Sequence, residues 1–375
     1  MTLYPTPSPV PTPAPGTTRG PARTVLHWHV HGSWSTAFVQ GRHTCLLPVL
    51  PERGPWGGGR PAAWDWPARA EEATPTQLRE RADEIDVVVL QRPEEIELTE
   101  RWTGRRPGRD LPALFVEHNT PKGDVPTTRH PLADRDDIPV VHVTHFNALM
   151  WDTGRAPVRV VEHGVLDPGD RYTGELDRAA VVVNEPVRRG RVTGTDLLAG
   201  FADTVGLDVY GIGSERLSEA VTHPGITIGG DLPQDRLHTE MARHRVYLHP
   251  VRWTSLGLSL IEAMMLGMPV VALATTEAAV DVPAEAGVVA TDLGVLREGL
   301  RAYRDDPELA RAAGAAGRAS ALARHGMDRF LADWDRLLDE AVAGSSGASA
   351  PGRAGVVEDA AAGSVRSPGR LEPVV

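Results

Sequence analysis

Apolar residues along this chain come in short runs, each bounded by Gly, Pro, Asn or Asp, with helically spaced stretches between them. Such runs predict strands buried on both faces, and their alternation with helices predicts βα units and a mostly parallel sheet. In the first half the predicted strands are 24–31, 86–91, 113–117, 140–143 and 159–162, with a helix over 75–85. The stretch 54–67 carries three Trp among Gly and Pro and is predicted as a loop, and 35–50 as a hairpin. In the second half the predicted strands are 179–183, 207–210, 226–228, 246–249, 270–273 and 287–290. The helices there are 194–205, 234–243 and 258–266. A further pattern over 327–341 puts Phe330, Trp334, Leu337 and Leu338 on one helical face, so this helix docks on something.

One helix stands out. The segment from Trp253 to Val271 opens with Thr254, Ser255 and Gly257, and closes on Gly267 followed by Pro269, the punctuation of a short helix. It is apolar all round and so predicts burial on every side, yet it contains Glu262. A carboxylate taken out of water needs specific donors. Either it meets a buried Arg or backbone N–H groups inside a core, or it meets a ligand. A helix N-terminus beside a strand is also a natural anion site, since free N–H groups and the helix dipole favour phosphate.

A chain of 375 residues exceeds one ordinary core, which predicts two domains. The boundaries read as a Pro-rich disordered tail over 1–22, a first domain over 23–165, a Gly/Pro/Asp-bearing linker over 166–178 and a second domain over 179–326. A helix over 327–342 and an Ala/Gly/Ser/Pro-rich disordered tail over 343–375 complete the chain. The net charge of −11 argues against a nucleic-acid partner but not against a small anion held locally. Cys45 is the single cysteine, so no intrachain disulfide and no cysteine-based zinc site forms. The start lacks the features of a signal peptide, no apolar run is long enough to be a transmembrane segment, and the expected location is cytoplasmic.

Two α/β halves place ligands at the carboxyl ends of strands. After 179–183 come Arg188, Arg189 and Arg191, which suit a diphosphate or, equally, a solvated basic loop. The strand 207–210 ends in Gly211 and Gly213, where the backbone either approaches a ligand or simply turns. In the first half, strand ends carry Gly32 and Ser33, His118, His145 and Asn147, and His163. Imidazoles there can bind sugar or phosphate oxygens or move protons, and any one of them can equally be a structural histidine. No short His/Asp/Glu ligand spacing appears, so no metal site is predicted.

The segment Thr254–Val271 resembles the E-x7-E hallmark, E-G-F-G-L-x-x-L-E-A-M-A-x-G-x-P-V-V, of retaining GT-B glycosyltransferases of family 4 (group 1). The resemblance covers roughly 179–340 and, more weakly, 23–165. It implies an α/β fold of two Rossmann-like domains facing a cleft. It also implies metal-independent transfer of a sugar, with retention, from a nucleoside-diphosphate sugar to a glycan, lipid or small-molecule acceptor. No cofactor is implied beyond that donor. Glu262 then matches the glutamate that holds ribose, and Ser255, Leu256 and Gly257 match the turn whose N–H groups face the donor. Arg188 matches the diphosphate-binding residue, and His118 the histidine near the donor sugar; these two are the implied catalytic residues. His163 and Gly164 stand in place of the usual Asn-Gly, and the last helix matches one that crosses back to the first domain.

Three positions depart from the family pattern. Thr254 replaces the first glutamate, in the sugar vicinity, with Arg252 close to it in sequence, and Thr193 replaces a lysine of the diphosphate clamp, for which Arg189 or Arg191 could substitute. The loop after the first strand lacks the usual long helix. Thr254 and Thr193 motivate alternatives: a catalytically impaired nucleotide- or glycan-binding relative, or a sugar-nucleotide epimerase or hydrolase of the same fold.

Overall fold

Val25, Leu26 and His27 have no solvent exposure, as befits a strand inside a parallel sheet covered on both faces. The computed structural model describes residues 20–61 and 64–347, so most of the two predicted tails lies outside the described residues. Val25–His27 belong to β1 (Thr24–His27), followed along the chain by β2 (Thr44–Pro48), β3 (Ala70–Ala73), β4 (Val87–Leu90), β5 (Ala113–Glu117), β6 (Val140–His142) and β7 (Val158–Val160). These form a seven-stranded sheet in the order β3-β2-β1-β4-β5-β6-β7. Every pairing in it is parallel, for example Leu26 opposite Val88.

A second parallel sheet holds β8 (Leu176–Val182), β9 (Leu207–Tyr210), β10 (Ile226–Gly230), β11 (His244–His249), β12 (Val270–Leu273) and β13 (Gly287–Ala290), in the order β10-β9-β8-β11-β12-β13. In both sheets the order reverses at the first strand. This is the doubly wound arrangement in which ligands gather at the carboxyl ends of the strands flanking the switch.

Among the described residues, nine α-helices lie between strands and three follow the last one. The first half contains α1 (Gly32–Phe38), α2 (Pro75–Glu80), α3 (Glu94–Thr103) and α4 (His145–Met150). The second contains α5 (Pro186–Arg189), α6 (Leu198–Ala202), α7 (Gln234–Arg243), α8 (Leu258–Met265), α9 (Ala278–Asp281), α10 (Leu293–Asp305), α11 (Pro307–His325) and α12 (Met327–Gly347). Several starts are chemically specified. Thr74 and Gln77 make a capping box on α2, and Asp306 accepts from Glu308 and Leu309 N–H with Pro307 as the first residue of α11.

α8 and α11 pack through small residues. A Cβ on Gly314 would run into the carbonyl of Gly267, and Gly267 itself closes α8 at φ +87°. α12 crosses to the first sheet, where Phe330, Trp334, Leu337 and Leu338 join Val25, Phe38 and Leu47 in one core. Its approach is so close that a Cβ on Gly164 would overlap the Phe330 side chain.

Several elements differ from the sequence expectation. The predicted hairpin 35–50 is α1 followed by β2, which pairs parallel to β1. Trp34 and Phe38 bury one face of that helix against Trp334, a contact far away in sequence. β3, α3, α10 and α11 were not foreseen, and the predicted helix 194–205 is a 3-10 turn over Thr195–Leu197 leading into α6. β8 begins at Leu176, so the linker predicted over 166–178 ends earlier, and the last helix runs past 342 to Gly347. Among the described residues no helix is long and apolar enough to cross a membrane.

Candidate functional site

The second sheet gathers four loops at its carboxyl edge. After β8, Glu185 takes a left-handed conformation at φ +56° and donates its N–H to the Ile212 carbonyl at 2.6 Å. Asn184 Oδ1 accepts from Ile212 N–H at 2.9 Å. A side chain at Gly211 would meet the Val183 carbonyl at 2.5 Å, so this turn is built on glycine for close approach of two strand ends. Gly211 N–H in turn donates to Gly230 at the end of β10, and Arg252 N–H, beyond β11, donates to Val192 at 2.9 Å. The Arg-bearing loop, the Gly211–Gly213 turn and the segment before α8 therefore sit side by side.

Glu262 lies within α8 and is only 5 % exposed. Its partners are neither an Arg nor backbone N–H groups: Gln234 Nε2 donates to Oε1 at 2.6 Å, and His238 Nε2 stands 3.4 Å from Oε2. Both come from the first turns of α7, and together they leave the carboxylate with acceptor capacity to spare. In the turn before α8, Ser255 and Leu256 are buried, and a Cβ on Gly257 would meet the His249 ring at 2.5 Å. That ring is itself fully enclosed, and burial lowers its pKa to about 4. No side chain caps α8, whose cap residue is Gly257. Thr254 is half-buried.

The cations around this edge are not equivalent. Arg191 and Arg252 both bind Asp196, at 3.0 and 2.5 Å. Arg188 is largely exposed and stands 3.4 Å from Glu185. Arg189 is half-buried and has no carboxylate or other side-chain partner among the described residues. Burial, with Arg188 alongside, lowers its pKa, the signature of a desolvated charge without a counterion. Thr193 is buried and spends its hydroxyl on Gly190 and Thr195.

In the first half, the segments after β1, β5 and β7 bring a cluster of rings together with Trp34 of α1. The His31 and His118 rings lie 4.0 Å apart, and Trp34 and His163 lie 5.3 and 6.4 Å from His118. His118 Nε2 stands 3.0 Å from Gln91 Oε1. Burial drives the His118 pKa well below 6.5, helped by His31 and His163, while burial brings His31 to about 4 and, with His325 adding, His163 to about 3. Gly32 opens α1, and Ser33 follows it partly exposed.

The remaining two sequence candidates part company. His145 is exposed at the start of α4, whereas Asn147 is wholly buried and its amide finds no partner among the described residues. Asn147 thus faces inward from α4 rather than onto an open surface.

The two halves touch beside this site. Trp253 Nε1 donates to the Pro121 carbonyl at 2.9 Å, and the Trp253 and Phe146 rings meet edge to face at 5.5 Å. Phe146 N–H donates to Glu277, which also binds Arg324. Gln234, His238, Gln91 and Glu277 were missed in the sequence, because each acts through a partner that only the fold brings near. Among the described residues, no cluster of three His, Cys, Asp or Glu is placed to hold a metal ion.

Residues 177–336 match the family model described as Glycosyl transferase-like. No curated protein matches the sequence. Solved structures resemble the fold at low identity. Sucrose-phosphate synthase from Thermosynechococcus elongatus is 14 % identical with a TM-score of 0.64, over 86 % of this chain and all of its own. HepE of Anabaena, in complex with UDP and glucose, is 13 % identical with a TM-score of 0.62, over 85 % of this chain and all of its own. A glycosyltransferase from Rickettsia africae is 13 % identical with a TM-score of 0.59, over 86 % of this chain and 99 % of its own. The protein therefore has the two-sheet GT-B fold, with a glycosyl transferase-like second half.

Proposed function

We propose that this protein transfers a hexose from a nucleoside-diphosphate sugar to an acceptor hydroxyl, with retention and without a metal ion, as in the family 4 enzymes it resembles. The observation that carries the reading is Glu262: a buried carboxylate held by Gln234 and His238 in the helix that follows the Ser255–Gly257 turn, on the sheet edge that also carries Arg189, half-buried and without a side-chain partner among the described residues. A carboxylate accepts hydrogen bonds well from a vicinal diol, and unpaired guanidinium groups suit a diphosphate. In this reading Glu262 binds the ribose. Arg188 and Arg189, with N–H groups of the Ser255–Gly257 turn, take the diphosphate, and Gly211 and Gly213 admit the base.

As the anomeric C–O bond breaks, its electron pair leaves on the diphosphate oxygen, which the two arginines stabilise as charge develops there. The acceptor oxygen bonds the anomeric carbon, and its proton goes to the departing diphosphate. His118 accepts a hydrogen bond from a sugar hydroxyl, and Gly32, Ser33 and His145 serve the acceptor, a glycan, lipid or small molecule.

Calorimetric titration with nucleoside diphosphates and their sugars tests this, starting with UDP, which the Anabaena neighbour binds. Binding by the wild type and loss of affinity in a folded Glu262→Ala variant are expected; unchanged affinity sinks the ribose role. A second reading, nucleotide binding without transfer, is favoured by Thr254 and by a Thr193 locked into its own loop. Tight nucleotide binding with no hydrolysis or transfer from any donor would select it, and slow hydrolysis alone would select a hydrolase.

A further inference from the structure

Gln91 follows β4 directly and is almost fully buried. Its side-chain amide is held at both ends. Nε2 donates to the Trp28 carbonyl at 2.7 Å, and Oε1 faces His118 Nε2 at 3.0 Å. The Trp28 carbonyl can only accept, so the amide cannot be turned over: nitrogen must face Trp28 and oxygen must face His118. An amide oxygen can only accept as well, so His118 Nε2 must carry the proton. In a neutral imidazole the other nitrogen, Nδ1, then holds a lone pair and no proton. Nδ1 has no hydrogen-bond partner among the described residues.

The backbone of Gln91 is fixed too. Its N–H donates to Glu95 Oε2 at 2.6 Å, and Glu95 also binds Arg92 Nε at 2.7 Å. A buried carboxylate that accepts from the strand end and from the next side chain leaves the amide no freedom to swing away. The sequence 91–95 therefore acts as a rigid bracket between Trp28 and His118.

We propose that Gln91 is the positioning residue that sets the His118 tautomer, making Nδ1 a permanent acceptor for a ligand hydroxyl rather than a donor to phosphate. The ligand class this selects at His118 is a neutral polyol, a sugar hydroxyl whose hydrogen points at Nδ1. A phosphate oxygen, which can only accept at neutral pH, would face a lone pair there and be repelled. This rests on the reading of the site as a sugar-transfer site, but the tautomer itself does not. With an apolar residue at 91, buried Nε2 loses its acceptor, and the proton moves to Nδ1, where water or ligand can accept it. With Glu at 91, the carboxylate accepts from Nε2–H and favours the imidazolium.

The test uses the full chain labelled with 15N in histidine, and reads the His118 ring nitrogens by long-range 1H–15N correlation. In the wild type, protonated Nε2 and unprotonated Nδ1 are expected from pH 7 to 8. Gln91→Leu is expected to exchange that pattern, and Gln91→Glu to raise the pH at which His118 titrates. Hydrolysis of a UDP-sugar is read in parallel, together with thermal unfolding to show that each variant folds. Gln91→Leu is expected to lower kcat by at least about tenfold with little change in donor KM. Protonated Nδ1 in the wild type, or an Nε2–H pattern unchanged in folded Gln91→Leu, overturns the proposal. If the wild type neither hydrolyses nor transfers from any donor while the nitrogen pattern holds, the transferase reading fails and the tautomer assignment stands.

Discussion

Glu277, at the start of α9 in the second half, accepts a hydrogen bond from the backbone N–H of Phe146 in the first half at 2.8 Å. Glu277 is 3 % exposed, and its other oxygen takes Arg324 at 3.0 Å. Arg324 in turn binds Glu162, the residue that follows β7 by two positions, at 2.5 Å. The preceding Thr276 is held at φ +54°, costly for a β-branched residue and tolerated where the surroundings enforce it. One carboxylate thus ties an N-terminal helix turn to the far domain.

Removing that carboxylate should cost stability. Glu277→Ala leaves the Phe146 N–H without its acceptor and a partly buried Arg324 with one carboxylate fewer, for a loss of about 1–3 kcal/mol. Urea unfolding measures it. The same variant should also give a larger radius of gyration by small-angle scattering, if the bond holds the two halves together; an unchanged radius would assign Glu277 a purely local role.

Acid should unfold this protein steeply. Burial lowers His27, His31, His142 and His249 to about 4, His163 to about 3, and His118 well below its ordinary 6.5. A histidine whose pKa is lowered on folding contributes stability that is complete above 6.5 and is lost as pH falls from there toward the folded value. Each such group adds about 1.4 kcal/mol per pH unit to the slope inside that window. Stability measured by urea should be level from pH 8 to 7 and then fall by several kcal/mol between pH 6.5 and 5. A flat profile across that window would contradict the burial of these rings.

The arginines should separate by partner. Arg189→Ala is expected to weaken nucleoside-diphosphate binding by at least about tenfold while sparing the bare nucleoside. Arg191→Ala should change little, because Asp196 already occupies that guanidinium together with Arg252. Isothermal titration with UDP and uridine reads both, and equal losses for the two ligands would count against contact with the diphosphate.

Trp334→Ala tests the return of the last helix. Trp334 is 2 % exposed and meets Trp34, Phe38 and Phe330. The cavity left should cost about 3–5 kcal/mol. The loss should appear in signals from the first half, such as amide exchange in β1 and β2, before it appears in the second.

The strands that could be read to the residue were β5, β9, β12 and β13, each an apolar run flanked by turn residues. β3 could not be read. Its sequence is Ala-Glu-Glu-Ala, an edge strand whose carboxylates are taken up by Arg81 and Arg53. α11 hid for a different reason: it packs through Ala310, Ala313, Gly314 and Gly317, so it shows no stripe of large apolar residues. The burial of Glu262 was legible because a lone carboxylate in an apolar helix has to be answered. What answered it was not, since Gln234 and His238 are ordinary surface residues of α7 until the fold turns that helix toward α8.

The crossing of α12 also sets an order of assembly. The first sheet is made early in synthesis, yet one wall of its core consists of Phe330, Trp334, Leu337 and Leu338. Until the ribosome has delivered those residues, Trp34, Phe38 and Val25 lack their cover, and the earliest-made half of the molecule waits for the latest. A chain cut before Phe330 would leave that half sticky even if the second half folded well. The core of the first sheet is therefore complete only once α12 has docked on it, so the N-terminal half of this fold matures last.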